Sequence, residues 1–261
     1  MIRRWLLLPL VLGACTAAEP LRDIAAPRSG ITFSSGDLSQ LQNDDAANPG
    51  MLWVEQGKAL WRETAGTAQK SCASCHGDAE KSMRGVAARY PVVDPAGDSG
   101  AGNLLNVEGR INQCRVQRQR AEPLRYESEA LLALSAYVAH QSRGMPVQVS
   151  IAGPARAHFE AGRAHFVTRQ GQLNLSCAHC HERAWGRTLL AETISQGQSN
   201  GFPAYRLEWQ GLASLHRRLR ACQFGIRAEQ SPAGSQELLE LELYLAWRAQ
   251  GLPVEAPGVR R

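Results

Sequence analysis

The chain has 261 residues, of which 44% are hydrophobic, and this is enough for one large domain or two of about 100–130 residues, each with its own core. The formal charge of +5 becomes +3, or 27 basic against 24 acidic residues, if Arg3 and Arg4 leave with an N-terminal signal. This balance, without aromatic residues set in a basic stripe, argues against nucleic-acid binding.

Residues 1–18 have the build of a secretory signal peptide. A charged start precedes an apolar run over residues 5–12, and small residues follow it. The run is too short to be a transmembrane helix and no later stretch reaches that length, so no transmembrane segment is predicted. The tetrapeptide LGAC at residues 12–15 resembles a bacterial lipoprotein cleavage box. An exported, periplasmic protein is therefore expected, either cut near residue 18 or anchored through a lipid on Cys15.

Residues 19–50 are rich in Pro, Gly, Ser, Asp and Asn and have no sustained hydrophobic period. Such a composition is typical of loops and linkers. The sequence therefore predicts an extended N-terminal arm, which wraps either a partner or another part of the chain.

From residue 51 the chain contains an internal duplication. EQGKALW at residues 55–61 corresponds to EAGRAHF at 160–166 with an offset of 105, and the same offset aligns CASCH at 72–76 with CAHCH at 177–181. Cys114 aligns with Cys222 at an offset of 108. The duplication predicts two tandem domains, an N-terminal domain over residues 51–150 and a C-terminal domain over residues 151–261.

Each repeat is predicted to begin and end with a helix, with the CxxCH motif and irregular chain between them. Gly57 and Gly162 each precede an aromatic residue, Trp61 or Phe166, by four positions, so glycine and aromatic share one helix face. This pair of small and large residues favours a close helix crossing. The last helix of the second repeat has an apolar stripe of three leucines: Leu238, Leu241 and Leu245.

Both CxxCH motifs are typical of covalent attachment of a c-type haem, in which two cysteines form thioethers and the next histidine ligates iron. Two covalently bound haems are therefore expected. The fold resembles the small class I cytochrome c fold, so the expected class is mainly α, with two tandem domains that bind one haem each. The predicted residues are the thioether cysteines Cys72, Cys75, Cys177 and Cys180 and the iron ligands His76 and His181.

The second axial ligand of each iron is less constrained by the sequence. Met83 and Met145 are candidates in the first repeat, but no methionine follows Met145, so His216 is the main histidine alternative in the second. Cys114 and Cys222 are favoured because they recur at matched positions, and a thiolate ligand favours ferric iron. A disulfide between these two cysteines is the remaining alternative.

The paired CxxCH motifs, the lone cysteine after each and the segment RLRACQFGIRAE at residues 218–229 resemble SoxA, the dihaem subunit of the SoxAX cytochrome of bacterial sulfur oxidation. The resemblance covers residues 50 to 255. It implies an L-cysteine S-thiosulfotransferase that forms a heterodimer with the monohaem cytochrome SoxX. The reaction joins thiosulfate oxidatively to a cysteine of the carrier SoxYZ, and the two electrons pass through the haems to an electron-accepting cytochrome c.

The same resemblance implies that Cys222 is the catalytic cysteine, that it ligates iron and that it carries an extra sulfur as a persulfide. It also implies that Arg218 binds the substrate. The residue types agree, because guanidinium groups suit oxyanions such as a sulfonate. If residues 217–221 are helical, Arg218 shares a face with Cys222, whereas Arg217 and Arg220 share another.

The first repeat keeps only one arginine of this pattern. Arg110 lies four residues before Cys114, but no cluster of arginines surrounds it. The first haem site is therefore interpreted as structural or electron-relaying.

Two other functions fit the same motifs. One is a dihaem electron carrier without its own chemistry, which would not depend on Cys222. The other is a thiosulfate dehydrogenase that forms tetrathionate, which would need no carrier cysteine. A dihaem peroxidase is disfavoured because it needs an open iron site, while this chain offers a sixth ligand to both irons.

Overall fold

The structure is a computed structural model that describes residues 26–94 and 103–261. The predicted signal peptide, Cys15 and the first part of the arm lie outside these residues. Within the described ranges, no helix combines the length and the apolar character needed to cross a membrane.

The described part of the chain is rich in helix. Its α-helices are α1 Gly36–Asn43, α2 Met51–Arg62, α3 Cys72–His76, α4 Ala79–Ser82, α5 Val107–Cys114, α6 Glu129–His140, α7 Ala155–Val167, α8 Cys177–His181, α9 Leu215–Gly225 and α10 Gln236–Arg248. Short 3-10 helices occupy Gly30–Phe33 and Ala87–Arg89, and a π-helical turn, Arg115–Gln119, follows α5.

Residues 26–94 and 103–261 also contain three small sheets, which the sequence did not predict. Their strands are β1 Val92–Asp94, β2 Asn103–Leu105, β3 Thr188–Leu189, β4 Glu192–Thr193, β5 Ala204–Arg206, β6 Gly211–Ala213 and β7 Gly258–Arg260. β1 pairs with β2 and β3 with β4, both antiparallel. In the third sheet β5 is central, antiparallel to β6 and parallel to β7. β6 leads directly into α9, so this sheet positions the start of that helix.

Two helix pairs, α2 with α6 and α7 with α10, form equivalent crossings in the two repeats. A Cβ atom on Gly57 would lie 2.1 Å from the carbonyl oxygen of Ala133, and one on Gly162 would lie 2.0 Å from that of Glu240. No larger residue fits at such a contact without moving the backbone. The predicted close crossing is confirmed in both repeats.

The aromatic residues of these faces are buried in the core. Trp61 packs against Tyr137 with ring centroids 6.0 Å apart, and the fully buried Phe166 packs against Tyr244 at 5.2 Å. The predicted leucine stripe of α10 is buried as well. The burial of these large side chains supplies the main stabilisation of each helix pair.

The equivalence of the repeats extends to the starts of their helices. Ser128 caps α6 and Ser235 caps α10, each accepting a hydrogen bond from the backbone amide three residues later. Asn106 caps α5 and Ser214 caps α9 in the same way. These caps satisfy amide groups that a helix cannot pair internally and so fix where each helix begins.

The prediction of an extended arm over residues 19–50 is wrong for residues 30–43. These residues form a 3-10 helix and α1, which pack on the last strand through Ile31, Leu38 and Val259. Gln42 accepts a hydrogen bond from the Val259 amide at 3.1 Å. The segment has too few apolar residues to indicate a helix by itself, and the strand that stabilises it lies more than 200 residues later in the sequence.

Candidate functional site

The second CxxCH motif forms the short helix α8, and His179 stabilises its start. The Nδ1 atom of His179 accepts a hydrogen bond from the Ser176 amide at 3.1 Å and lies 2.7 Å from the Ser176 hydroxyl. The ring of His179 is thus bound to the start of α8.

His181 is held in a defined orientation by backbone atoms of a later loop. Its Nδ1 donates a hydrogen bond to the Ser195 carbonyl oxygen at 2.8 Å, and a Cβ on Gly197 would lie 2.8 Å from its ring. Burial lowers the pKa of His181, the charges of Arg218 and Arg248 lower it further, and the Ser195 hydrogen bond acts in the opposite direction. A neutral imidazole with Nδ1 bound to a carbonyl presents Nε2, which is the arrangement that histidine metal ligands use.

Cys222 lies close to both cysteines of the second motif. The pKa of Cys177 is raised to about 12, first by burial and second by the negative charge of Cys222. The same two causes raise the pKa of Cys180. None of the six described cysteines forms a disulfide, so Cys114 and Cys222 are not joined to each other. The fold therefore assembles three sulfur atoms and His181 from α8 and α9, which are separated by more than 30 residues in sequence.

Helix α9 places Arg218 one turn before Cys222, as expected if this segment is helical. The effect of Arg218 on the pKa of His181 puts its charge near that ring. Within the described ranges, the guanidinium of Arg218 has no hydrogen-bond or salt-bridge partner. Arg218 is thus a cation beside Cys222 and His181 whose hydrogen-bond donors remain available.

The other arginines of α9 have different surroundings. Arg217 stacks over Trp209, with its guanidinium carbon 4.4 Å from the ring centroid. The Nε atom of Arg220 is buried without a hydrogen-bond acceptor in the described structure. Arg217 is therefore held by a cation–π contact with an aromatic ring, whereas Arg218 has no such contact among the residues that the structure describes.

Arg206, a buried arginine on β5, belongs to the surroundings of Arg218 but is not indicated by the sequence pattern. Only 5% of the residue is exposed, its guanidinium stacks over Trp209 at 5.0 Å, and its Nη2 lies 3.4 Å from Glu208. Burial lowers the pKa of Arg206, and the positive charge of Arg218 lowers it further. Two guanidinium groups therefore lie close together, an arrangement that attracts anions. Only the hairpin of β5 and β6 brings Arg206 near α9, so no local sequence signal could identify it.

The first CxxCH motif forms α3 and is built similarly. Ser71 and Ser74 form a reciprocal capping pair at its start, and the exposed His76 lies beside Trp61 with ring centroids 5.8 Å apart. Burial raises the pKa of Cys72, and the charge of Cys114 raises it further, so Cys114 lies near Cys72. The structure therefore brings the predicted residues of the first site together as well.

Arg110 distinguishes the first site from the second. Its Nη1 forms a salt bridge with Asp94 at 3.1 Å, and its Nε donates a hydrogen bond to the Tyr90 hydroxyl at 3.1 Å. The guanidinium that corresponds to Arg218 is thus bound by protein groups, which leaves it unsuited to binding a substrate anion.

The alternative axial ligands have surroundings of their own. His216 is 1% exposed and lies 3.0 Å from Glu242, and Met145 packs against Gly85. Met83 packs in the same core as Cys72 and stays an alternative in the first site. Among the described residues, no three His, Cys, Asp or Glu side chains form a conventional metal site. The thiol pairs, the carbonyl-bound His181 and the adjacent Cys222 instead fit a covalently bound haem, with thioethers on the cysteines and iron on the histidine.

Comparisons with known proteins agree with a covalently bound haem of the cytochrome c type. The model of a protein family described as SoxA/TsdA, cytochrome c domain, matches residues 56–147. The L-cysteine S-thiosulfotransferase subunit SoxA of Pseudaminobacter salicylatoxidans is 44% identical over 234 residues, or 89% of this chain and 80% of that protein. The subunit of the same name from Rhodovulum sulfidophilum is also 44% identical, with the same coverage. The crystal structure of SoxXA from P. pantotrophus contains a chain with a TM-score of 0.86 and 40% identity, covering 90% of this chain and 87% of that one.

Proposed function

The chain belongs to the SoxA family of L-cysteine S-thiosulfotransferase subunits, and we propose from this membership that it joins thiosulfate to a cysteine of a carrier protein at Cys222. One observation carries the assignment of the site. Cys222 lies beside Cys177 and Cys180 of the second motif, one helical turn from an arginine whose guanidinium no group of the described residues binds.

The proposed cofactors are two covalent c-type haems. Cys177 and Cys180 would hold one, with His181 and Cys222 on its iron, and Cys72 and Cys75 would hold the other, with His76 and Cys114. When bound, the haems supply redox centres that accept the electrons of the reaction. Two tandem cytochrome c domains, residues 51–150 and 151–261, are part of the same proposal.

The proposed reaction is an oxidative coupling. A carrier thiol and thiosulfate form a sulfur–sulfur bond, the S–H bond breaks, and the products are a carrier S-thiosulfonate, one proton and two electrons. Charge balances: the thiosulfate dianion and the neutral carrier thiol together carry −2, and so do the singly charged carrier S-thiosulfonate, the proton and the two electrons. Cys222 would lie at the point where the two sulfur atoms meet. The extra sulfur that it would carry as a persulfide in the resting protein would stay on Cys222 and is not part of this balance.

The arginines of the site would bind the sulfonate end of thiosulfate. Arg218 can offer planar N–H groups to sulfonate oxygens, since no group of the described chain occupies them. Arg206 adds a second positive charge that is partly desolvated and therefore acts strongly on a bound anion. In the first site the arginine that corresponds to Arg218 is Arg110, and it forms a salt bridge with Asp94. This ion pair supports a relay or structural role for the first site.

The proposed partners follow from the family. A SoxX-type monohaem cytochrome c would form the heterodimer, SoxYZ would supply the carrier cysteine, and another cytochrome c would accept the electrons. The solved relative is a SoxXA complex, which supports the first of these. The proposed location is the periplasm, after export directed by residues 1–18, with a lipid on Cys15 as the alternative.

The experiment compares turnover with and without the carrier. The haem-loaded complex is mixed with thiosulfate and oxidised cytochrome c, and reduction of the cytochrome is followed together with the mass of SoxYZ. The proposal predicts that cytochrome reduction requires SoxYZ and that SoxYZ gains one thiosulfonate group. Carrier-independent turnover with tetrathionate as product would instead identify a thiosulfate dehydrogenase, and electron transfer without any thiosulfate chemistry would identify an electron carrier.

A further inference from the structure

The helices that carry Cys114 and Cys222 begin at one shared group of buried and partly buried polar residues. α5 ends at Cys114 and α9 contains Cys222, and side chains of both helix starts bind to Glu242 of the second repeat. We call this group the junction cluster, and its members are Asn106, Glu108, Tyr126, Glu127, His216 and Glu242.

A single carboxylate oxygen joins the two helix starts. Oε2 of Glu242 accepts a hydrogen bond from Nδ2 of Asn106 at 3.0 Å and lies 3.0 Å from Nε2 of His216. Asn106 is the cap of α5, where its Oδ1 accepts from the Gly109 amide at 2.8 Å, and His216 is the second residue of α9. Movement of Glu242 would therefore disturb both helices at their first turn.

The connections between the repeats are reciprocal. Glu242 belongs to the second repeat and binds the cap of α5 in the first, while Glu127 belongs to the first repeat and accepts a hydrogen bond from the hydroxyl of Ser214, the cap of α9. Glu108 and His216 occupy equivalent positions, each six residues before its cysteine. Each thiol-bearing helix is thus anchored by a carboxylate from the other repeat.

The side chain of His216 is fixed on every side. Tyr126 stacks on the imidazole with centroids 5.8 Å apart and an interplanar angle of 7°, and its hydroxyl donates to Asn106 at 3.0 Å. The Gly234 amide donates to Nδ1 of His216 at 3.0 Å, so the neutral ring carries its proton on Nε2. Nε2 lies 3.0 Å from Oε2 of Glu242, in ion-pair contact but without an aligned hydrogen bond. His216 is therefore committed to the junction cluster.

Glu108 gives the junction cluster a titratable group next to a cavity. Glu108 and Glu242 line a cavity of about 80 Å³, well above the roughly 10–15 Å³ that is needed to admit one water molecule. Burial and the charge of Glu242 raise the pKa of Glu108 to about 7, with a smaller rise from Glu127 and an opposite effect of His216. The charge facing Glu242 can therefore change near neutral pH.

We infer that Glu242 is a positioning residue for both thiol-bearing helices, so that Cys114 and Cys222 are held as one unit and respond together to the charge of the junction cluster. The carboxylate acts through Asn106 on α5 and through His216 on α9. The two redox sites are thereby linked by a direct structural connection, independently of which sulfur compound reacts.

The test replaces Glu242 by Gln and uses Glu240→Gln as the matched control. The two carboxylates lie on α10, each pairs with a histidine, and their side chains are 16% and 15% exposed. Amide hydrogen exchange of the haem-loaded protein is followed in peptides from α5 and α9. We expect Glu242→Gln to speed exchange in both helices by about tenfold, the effect of losing one buried charged hydrogen bond, and Glu240→Gln to affect neither. A response in one helix only, in neither, or equally in the control would overturn the inference.

A second variant covers the case in which Glu242→Gln does not fold. Glu108→Gln keeps the size of the side chain and removes its titration. The midpoint potentials of the haem-loaded protein are measured between about pH 5 and pH 8, the range around a carboxyl that titrates near neutrality. The inference predicts that the pH dependence weakens at both sites together. An unchanged pH dependence, or a change at one site alone, would contradict it.

Discussion

Arg218 lies one helical turn before Cys222 on α9, and no carboxylate of the described chain binds its guanidinium. In the first repeat Arg110 has the same spacing to Cys114 but forms a salt bridge with Asp94 at 3.1 Å. The two sites are thus built on one plan and differ in whether the arginine is available. This difference explains why one site would bind an anionic substrate and the other would not.

Replacing Arg218 by Gln should weaken the reaction with thiosulfate. Loss of a charged hydrogen bond costs roughly 1.5–3 kcal/mol, so kcat/KM should fall about 10- to 100-fold, mostly through a higher KM. Arg217→Gln is the matched control, because that side chain stacks on Trp209. Steady-state kinetics with thiosulfate as the varied substrate measure both variants. Equal losses in the two variants would argue that only the overall charge of the helix matters.

The covalent mass of the purified protein tests the cofactor proposal. Intact-mass spectrometry should find two haems, and peptide mapping should place them on residues 72–76 and 177–181. The peptide that contains Cys222 should carry one extra sulfur atom. One haem, or a disulfide between Cys114 and Cys222, would disprove this arrangement.

Gly162→Ala should destabilise the second helix pair. The new Cβ would lie 2.0 Å from the Glu240 carbonyl oxygen, so α7 and α10 must move apart, at a cost of about 1–3 kcal/mol in the free energy of unfolding. Gly225→Ala is the control, because no atom lies within 4 Å of a Cβ at that helical position. Thermal unfolding of the haem-loaded protein compares the two variants. A Gly162→Ala protein as stable as the control would show that the helices are not in close contact.

The stability of the protein should fall as the pH rises through the titration of Glu108. The pKa of this carboxyl is about 7 in the folded chain, against 4.5 for an unperturbed glutamate, so the folded state binds its proton more tightly. The resulting stabilisation is complete below the unfolded pKa and is lost as the pH rises through about 7. At 1.36 kcal/mol for each pKa unit it amounts to about 3 kcal/mol.

The check is the unfolding free energy measured across this pH range for the native protein, Glu108→Gln and Glu240→Gln. The pH slope should shrink in Glu108→Gln and persist in Glu240→Gln. If the slope is the same in all three proteins, the titrating group is not Glu108.

Much of the fold could be predicted because the chain contains two copies of one plan. Comparing the copies identified Gly57 and Gly162 as contact residues, and the structure confirms both crossings. The same comparison singled out Cys222, which the structure places beside Cys177 and Cys180. Their roles as haem and iron ligands stay predictions.

The rest depends on contacts between segments that are distant in sequence. α1 forms because Val259 and its neighbours cover its apolar side, and Arg206 approaches Arg218 only through a strand hairpin. The sequence alone makes His216 a candidate iron ligand, because a histidine in a chain with CxxCH motifs suggests that role. Its actual partner, Glu242, lies on another helix, and no local pattern connects the two.

The most direct test of the account compares Cys222→Ser with Cys114→Ser. The two cysteines occupy equivalent positions in the repeats, but only Cys222 is proposed to react. Each haem-loaded variant is incubated with thiosulfate, SoxYZ and oxidised cytochrome c, and the mass of SoxYZ is measured. The account predicts that Cys114→Ser still adds a thiosulfonate group to the carrier and that Cys222→Ser adds none. Modification of the carrier by Cys222→Ser at the native rate would contradict it.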